Sequence, residues 1–303
     1  MKIAVSGSTG LIGTALTTAL AQRGHDVVPL VRRAVRAGER AIGWDPERGT
    51  IDRAGLEGVD AVIHLAGENV FGRWSAAKKQ RIRDSRVKGT QLISETLATL
   101  QRRPATLLAS SAIGYYGDRG AESLTEESDP GDDFLAKVSR DWEAATQVAA
   151  RAGIRVVNMR TGVVLTPTGG ALGTMLPPFR IGLGGWVGSG NQYVSWITRD
   201  DIINAMLHLL DRRDLSGPVN LTAPTPVTNR ELAKSLGKVL NRPVLLPVPG
   251  FALGLAFGSE GAAMLQSGQR VLPARLIASG FHFGWTEVES ALRHLLASPQ
   301  ERR

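Results

Sequence analysis

The 303-residue chain has no cysteine. Disulfides, thiolate metal sites and a cysteine nucleophile are therefore excluded. Its five histidines are dispersed and form no H-x-x-x-H pair, so no metal site emerges. No G-x-S-x-G elbow is present, which leaves a hydrolase reading without a basis. Long apolar runs are missing: FALGLAF at 251–257 is the longest, far below the ~20 residues that span a bilayer. The first residues read as a strand rather than a leader, so a soluble cytoplasmic protein with no membrane partner is expected. Aromatics are only 5% of the chain, and tyrosine occurs three times, at Tyr115, Tyr116 and Tyr193.

What is present is ordinary globular composition, 43% apolar and 21% charged, at a length that suits one large α/β domain plus an appendage. Thirty-six basic residues against 28 acidic ones give a net charge of +8. The basic residues gather locally at Arg32, Arg33 and Arg36, along Lys78 to Lys88, and at Arg302 and Arg303. The second group is interleaved with acidic and apolar residues, as on a solvated helix face, and no nucleic-acid partner is expected.

Apolar, β-branched runs at 3–6, 26–31, 60–66, 105–111 and 154–160 alternate with helix-period stretches at 11–23, 75–100 and 133–152. This pattern predicts a doubly wound parallel sheet with helices on both faces. Segment 38–58 breaks the alternation and reads as a short strand near Ala41–Trp44 and a loop. After residue 166 the texture turns rich in glycine and proline. A helix over 198–211 and a strand over 217–222 return to the first unit, and an amphipathic helix near 285–296 closes the chain. The expected organisation is residues 1–165 plus 193–222 in one domain, and 166–192 plus 223–303 in a smaller α+β domain.

The stretch GSTGLIG (7–13) follows the first strand and opens an apolar helix. Glycine permits tight turns and close backbone approach, and a helix start offers unsatisfied amides with partial positive charge. In this context Gly7 makes the turn, Gly10 admits a pyrophosphate and Gly13 lets the helix pack against the sheet. The second strand ends in LVRR. No acid stands there to accept from a ribose 2′-hydroxyl, and Asp26 lies at the strand's other end. Arg32 and Arg33 suit a 2′-phosphate, so NADP(H) is the expected cofactor.

The spacing G-x-x-G-x-x-G, with HLAGENV (64–70), SRVKGTQLI (85–93), SSAIGYYG (110–117), MRTGVVL (159–165) and WITRDDI (196–202), resembles the extended, epimerase-like short-chain dehydrogenase/reductase superfamily. PPFRIGLGG, NLTAPTPV (220–227) and the region 240–296 resemble its YfcH-like epimerase-family subgroup, across nearly the whole chain. The resemblance implies a Rossmann fold, NADP(H) binding and a small C-terminal substrate domain. It places Thr9, Leu11 and Ile12 with the glycines around the pyrophosphate, and Leu65, Ala66 and Gly67 along the adenosine. It counts Arg86, where many members have an asparagine, among the cofactor-binding residues, and places Thr161, Gly162 and Val163 beside the nicotinamide.

The superfamily normally pairs a tyrosine with a lysine four residues later on one helix. None of the three tyrosines makes that spacing. In GDDFLAKVSRDWEAA (131–145), anchoring on Glu143 puts Leu135 and Ser139 at the two positions, and a shift by one gives Phe134 and Val138. Lys137 has Asp133 four before it. Three readings stay open: an oxidoreductase or epimerase with another acid (Ser111, Tyr115 or Tyr116, or Arg86 as an electrostatic clamp); a reaction whose proton comes from water or substrate; or NADP(H) binding without turnover, in a regulatory or interaction protein.

Ser110 and Ser111 end a strand where ligands bind in such sheets, with Ser110 as a cofactor-binding candidate and Ser111 and Tyr116 as the catalytic candidates. Ala112 is the alternative register for the superfamily's serine. His64 reads as a core histidine, and Asp200 and Asp201 as first-turn acids. Arg180, Trp186 and Gln192, in and before the GLGGWVGSGNQ loop, are candidates for substrate contact. Homodimer pairing through the 75–100 and 133–152 helices is the fold-level expectation.

Overall fold

The run KIAVS forms β1 (Lys2–Ser6), with Ile3, Ala4 and Val5 fully buried. Continuous burial of this kind marks a strand covered on both faces. In this computed structural model the described residues are 1–248 and 250–297, with side chains left undescribed at 250–253, 256, 257 and 259. Arg302 and Arg303 lie outside the described residues.

The chain continues through α1 (Leu11–Gln22), β2 (Asp26–Val31), β3 (Ile42–Asp45), β4 (Thr50–Ile51), β5 (Ala61–His64) and α2 (Ala76–Ala98). It then forms β6 (Thr106–Ala112), α3 (Phe134–Ala144), β7 (Arg155–Thr161), α4 (Gly170–Arg180), α5 (Arg199–Asp211), β8 (Gly217–Leu221), α6 (Asn229–Leu240), α7 (Gly250–Gln266) and α8 (Val288–Leu296). One eight-stranded sheet has the order β8-β7-β6-β5-β1-β2-β3-β4. All its pairs are parallel except β3 with β4, which closes the edge with Trp44 opposite Ile51.

Helices cover both faces. Leu16 and Leu20 of α1 and Ile202, Met206 and Leu209 of α5 pack on Ile3, Val5, Ile63 and Val157. Ile93 and Leu97 of α2 pack on Ala4, Val62 and Leu107 from the other side. The chain leaves β1 toward β2 on one side, and β5 lies on the other. Such a reversal opens a crevice at the strands' C-terminal ends.

The expected 133–152 helix is two: α3 ends at Ala144, and a separate turn of helix runs Gln147–Arg151. The glycine- and proline-rich segment contains α4, a helix that the sequence texture did not reveal. Its Leu172, Leu176 and Phe179 recur at helical spacing and are buried, and Pro177 and Pro178 fall in its C-terminal half. That face packs with Leu232 and Leu236 of α6 and Leu292 of α8 in a third core. Two short pairings tie this region together: Trp186–Val187 with Pro247–Val248, and Tyr193–Val194 with Val227–Thr228.

Candidate functional site

The turn after β1 is built by close approach. Gly7 has φ +67°, and a Cβ there would sit 2.9 Å from the Ala66 nitrogen. A Cβ on Gly13 would fall 2.1 Å from the Gly7 carbonyl oxygen. The Gly10 amide donates to the Gly7 carbonyl at 3.0 Å, and α1 starts with no side-chain cap and no acid in its first turn. Thr9, Gly10 and Leu11 are exposed, so the amides of Leu11, Ile12 and Gly13 begin the helix without a carboxylate competing for them.

The neighbouring loop is locked to this turn. The Ser6 hydroxyl accepts from the amides of Leu65 at 3.1 Å and Ala66 at 3.3 Å, and lies at hydrogen-bond distance from Nδ1 of His64, 2.6 Å away. His64 is fully buried, and burial pulls its pKa down to about 4, so the ring is neutral. Its Nε2 has no hydrogen-bond partner, and its ring meets Trp44 edge to face at 5.7 Å.

At the end of β2 the two arginines differ. The Arg33 fork is filled by Glu39, with Nη1 to Oε2 at 2.8 Å and Nη2 to Oε1. The exposed Arg32 side chain has no hydrogen bond or ion pair among the described residues.

At the end of β6, half-buried Ser110 precedes Ser111, whose hydroxyl donates to Glu143 Oε1 at 2.6 Å. Glu143 also receives the fork of Arg160, at 2.8 and 2.9 Å. Arg160 donates further to the Tyr116 hydroxyl at 3.0 Å, which donates to Asn220 Oδ1 at 2.7 Å. Burial pulls the Arg160 guanidinium down, but the hydrogen bonds and charge of Glu143, with Tyr116, together outweigh this and hold it above the ordinary arginine value. Tyr116 is 0% exposed, and burial pushes its phenol up to about 12. This corrects the expectation that Tyr116 is a proton donor: its hydroxyl is held in the core, out of reach of a ligand. Half-buried Tyr115 lies against the Arg160 guanidinium, 3.5 Å from its ring centre.

Of the two registers read for α3, Leu135 and Ser139 are the pair that faces this loop. A Cβ on Gly114 would stand 3.3 Å from the Leu135 Cβ and 4.0 Å from the Ser139 hydroxyl. Lys137 is exposed, and Asp133 caps the helix by accepting the Ala136 amide at 2.8 Å. Thr161 ends β7, and Gly162 and Val163 follow it. A Cβ on Gly162 would lie 2.3 Å from the Ser195 carbonyl oxygen, so only glycine fits there.

Arg86 on α2 reaches back to the loop after β5, donating from Nη1 to the carbonyls of Glu68 at 2.9 Å and Ile82 at 3.2 Å. Gly67 lies beside it, with its position for a Cβ 3.5 Å from the guanidinium carbon.

Of the candidate substrate residues, Gln192 and Trp186 are engaged within their own region. Gln192 Nε2 donates to the carbonyls of Val187 and Leu265 at 3.0 and 3.2 Å. Trp186 packs in the third core with Arg230 over its ring, and Arg180 is exposed at the end of α4. Asp200 and Asp201 are first-turn acids of α5, as expected, and Asp201 has a further role. Thr198 caps α5, while the buried Asp201 carboxylate accepts the amides of Gly284 at 2.7 Å and Trp285 at 3.1 Å. Sequence reading missed the roles of Glu143, Arg160 and Asn220. The available signal was Arg160 itself, a charge inside the apolar run IRVVNMR, which needs a buried partner.

Two surface depressions near Arg102, Arg103, Arg155 and Arg213 lie at the opposite, N-terminal edge of the sheet and share nothing with this crevice. Among the described residues no helix is long and apolar enough to cross a membrane.

The model of the NAD dependent epimerase/dehydratase family matches residues 3–221, and a Domain of unknown function (DUF1731) matches residues 248–295. The chain is 44% identical over 298 residues to Epimerase family protein MT2273 of Mycobacterium tuberculosis, covering 98% of each. It is 36% identical over 301 residues to Epimerase family protein SDR39U1 of Homo sapiens, covering 98% of this chain and 100% of that protein. The crystal structure of human epimerase family protein SDR39U1 (isoform2) with NADPH superposes with a TM-score of 0.89 at 36% identity, over 97% of this chain and 99% of that one.

Proposed function

The chain belongs to the NAD dependent epimerase/dehydratase family, and from that premise we propose that it binds NADP(H) in the crevice at the C-terminal edge of its sheet. There it acts on a small molecule as an oxidoreductase or epimerase whose site works without a tyrosine–lysine pair. The observation that carries the cofactor is the turn at Gly7–Gly13, closed so tightly that no Cβ fits at Gly13. Its free helix-start amides suit a diphosphate. One strand away, the Arg32 guanidinium, unpaired among the described residues, suits the ribose 2′-phosphate, whereas Arg33 is taken by Glu39. The neighbour solved with NADPH supports the same choice.

On this reading Leu65, Ala66 and Gly67 line the adenosine side, and Ser110, Thr161, Gly162 and Val163 run along the nicotinamide side. NADP(H), when bound, supplies or accepts a hydride; the chain positions the partner molecule and excludes water. A second reading, binding without turnover, is favoured by Leu135 and Ser139. They face the loop after β6 and supply no side chain with a phenol or ammonium.

The test is a fluorescence titration with NADPH, followed by its absorbance decay against a panel of carbonyl compounds and nucleotide sugars. Binding with turnover of a panel member supports the enzyme. Tight binding with no turnover across the panel supports the second reading. No affinity for NADP(H) in either redox state overturns both.

A further inference from the structure

Two arginines are drawn in at the C-terminal edge of the sheet, and the chain treats them differently. Arg160 has its fork closed by Glu143. Arg86 has no carboxylate partner among the described residues; its Nη1 holds two backbone carbonyls, and the guanidinium stacks 5.0 Å from the centre of the Trp142 ring. Glu68, whose carbonyl it holds, turns its carboxylate to Lys78 at 2.7 Å. The Nε and Nη2 hydrogens of Arg86 have no partner among the described residues, and these atoms are not sealed from solvent. Burial pulls the group down to about 10, against a partial pull upward from Glu68. A desolvated cation without an anion is unfavourable and is relieved when one binds.

The position of Arg86 narrows what that anion is. The guanidinium lies beside Gly67, in the loop after β5, and by Trp142 of α3. The same helix presents Leu135 and Ser139 to the loop after β6. Arg86 thus sits on the β5–β6 side of β1, while Arg32 ends β2 on the other side. A diphosphate at the start of α1 and a 2′-phosphate at Arg32 leave Arg86 to a different oxyanion.

We propose that Arg86 is the anion-receiving group of the substrate subsite and takes the carboxylate or phosphate of a small oxyanion-bearing substrate. This rests on the reading of the crevice as an NADP(H) site. The planar fork, stacked on Trp142, receives two oxygens at once, and the aromatic face holds it in place.

The experiment is calorimetric titration of the full chain saturated with NADP+, using malonate in one arm and inorganic phosphate in the other. The Arg86→Gln and Arg86→Lys variants are titrated alongside, and NADPH affinity is measured separately for all three proteins. The expected result is binding of at least one anion, weakened about tenfold or more in Arg86→Gln and less in Arg86→Lys, with NADPH affinity unchanged within about twofold. Three results overturn the proposal: neither anion binds the loaded protein, Arg86→Gln binds the anion as well as the parent, or Arg86→Gln loses NADPH affinity in parallel. The last assigns the guanidinium to the cofactor's own phosphates. If the parent protein fails to bind NADPH at all, the reading of the crevice itself falls.

Discussion

The hydroxyl of Ser6 stands 2.6 Å from Nδ1 of His64, joining the C-terminal ends of two adjacent parallel strands. Because the same oxygen accepts the amides of Leu65 and Ala66, one side chain fixes the separation of the glycine turn and the loop after β5. With both hydroxyl lone pairs engaged by those amides, its hydrogen is left for Nδ1, so the ring keeps a lone pair there and protonation breaks the arrangement.

Stability is therefore expected to fall in acid. Burial lowers the folded-state pKa of His64 from 6.5 to about 4. Above the unfolded value of 6.5 both states are neutral and the group costs nothing. Between about 6.5 and 4 the unfolded chain takes a proton that the folded chain refuses, so the folded state loses ground as the pH falls. The loss from this one group amounts to about 2 kcal/mol between pH 7 and pH 5. Denaturant unfolding at the two pH values checks it. His64→Gln should remove that increment; an unchanged pH dependence in the variant refutes it.

Arg32→Glu should weaken NADPH by about tenfold to a hundredfold while leaving NADH nearly unaffected, because a charge-assisted phosphate contact is replaced by repulsion. Arg33→Glu should do less, since Glu39 already holds that fork. Parallel titrations with both cofactors read the difference. Equal losses of NADPH and NADH in Arg32→Glu mean that Arg32 does not touch the 2′-phosphate.

Gly13→Ala should cost about 1–3 kcal/mol through forced displacement of the Gly7 carbonyl, since the added carbon would lie 2.1 Å from that oxygen. NADPH affinity should fall with it, because the same shift moves the amides at the start of α1. Thermal unfolding and NADPH titration together make the check; a variant with parental affinity rules out a ligand at that turn.

Glu143→Gln should destabilise the chain by about 3–5 kcal/mol, because it leaves Arg160, 3% exposed, without its anion. Ser111→Ala removes one hydrogen bond to the same carboxylate and should cost about 1–2 kcal/mol, with NADPH affinity retained. Chemical denaturation ranks the two. If Ser111→Ala also abolishes turnover of a substrate found in the panel, the hydroxyl takes part in the chemistry as well as in the network.

Much of this was legible in the sequence because it depends on local spacing. The glycines at 7, 10 and 13 need only a preceding strand and a following helix. The alternation of strand and helix up to residue 165 predicts the parallel sheet, and α2 runs from Ala76 to Ala98 within the expected 75–100. The helix α4 was hidden by its glycine and proline content, although its Leu172, Leu176 and Phe179 kept the helical period.

By itself, the sequence determined the cofactor-type turn, the basic end of β2 and the lack of a tyrosine–lysine pair, since each is a matter of residue identity at short separation. Only the tertiary structure decided which charges are free. Arg32 and Arg33 are neighbours in the chain, yet Glu39 claims one of them. Arg160 and Arg86 are both drawn inward, yet among the described residues only Arg160 meets a carboxylate, from a helix 17 residues earlier in the chain. Tyr116 joins Asn220, 104 residues away, and so leaves the set of proton donors. Pairing of this kind is settled by which side chains the packed strands and helices bring within about 3 Å, and no local pattern encodes that distance.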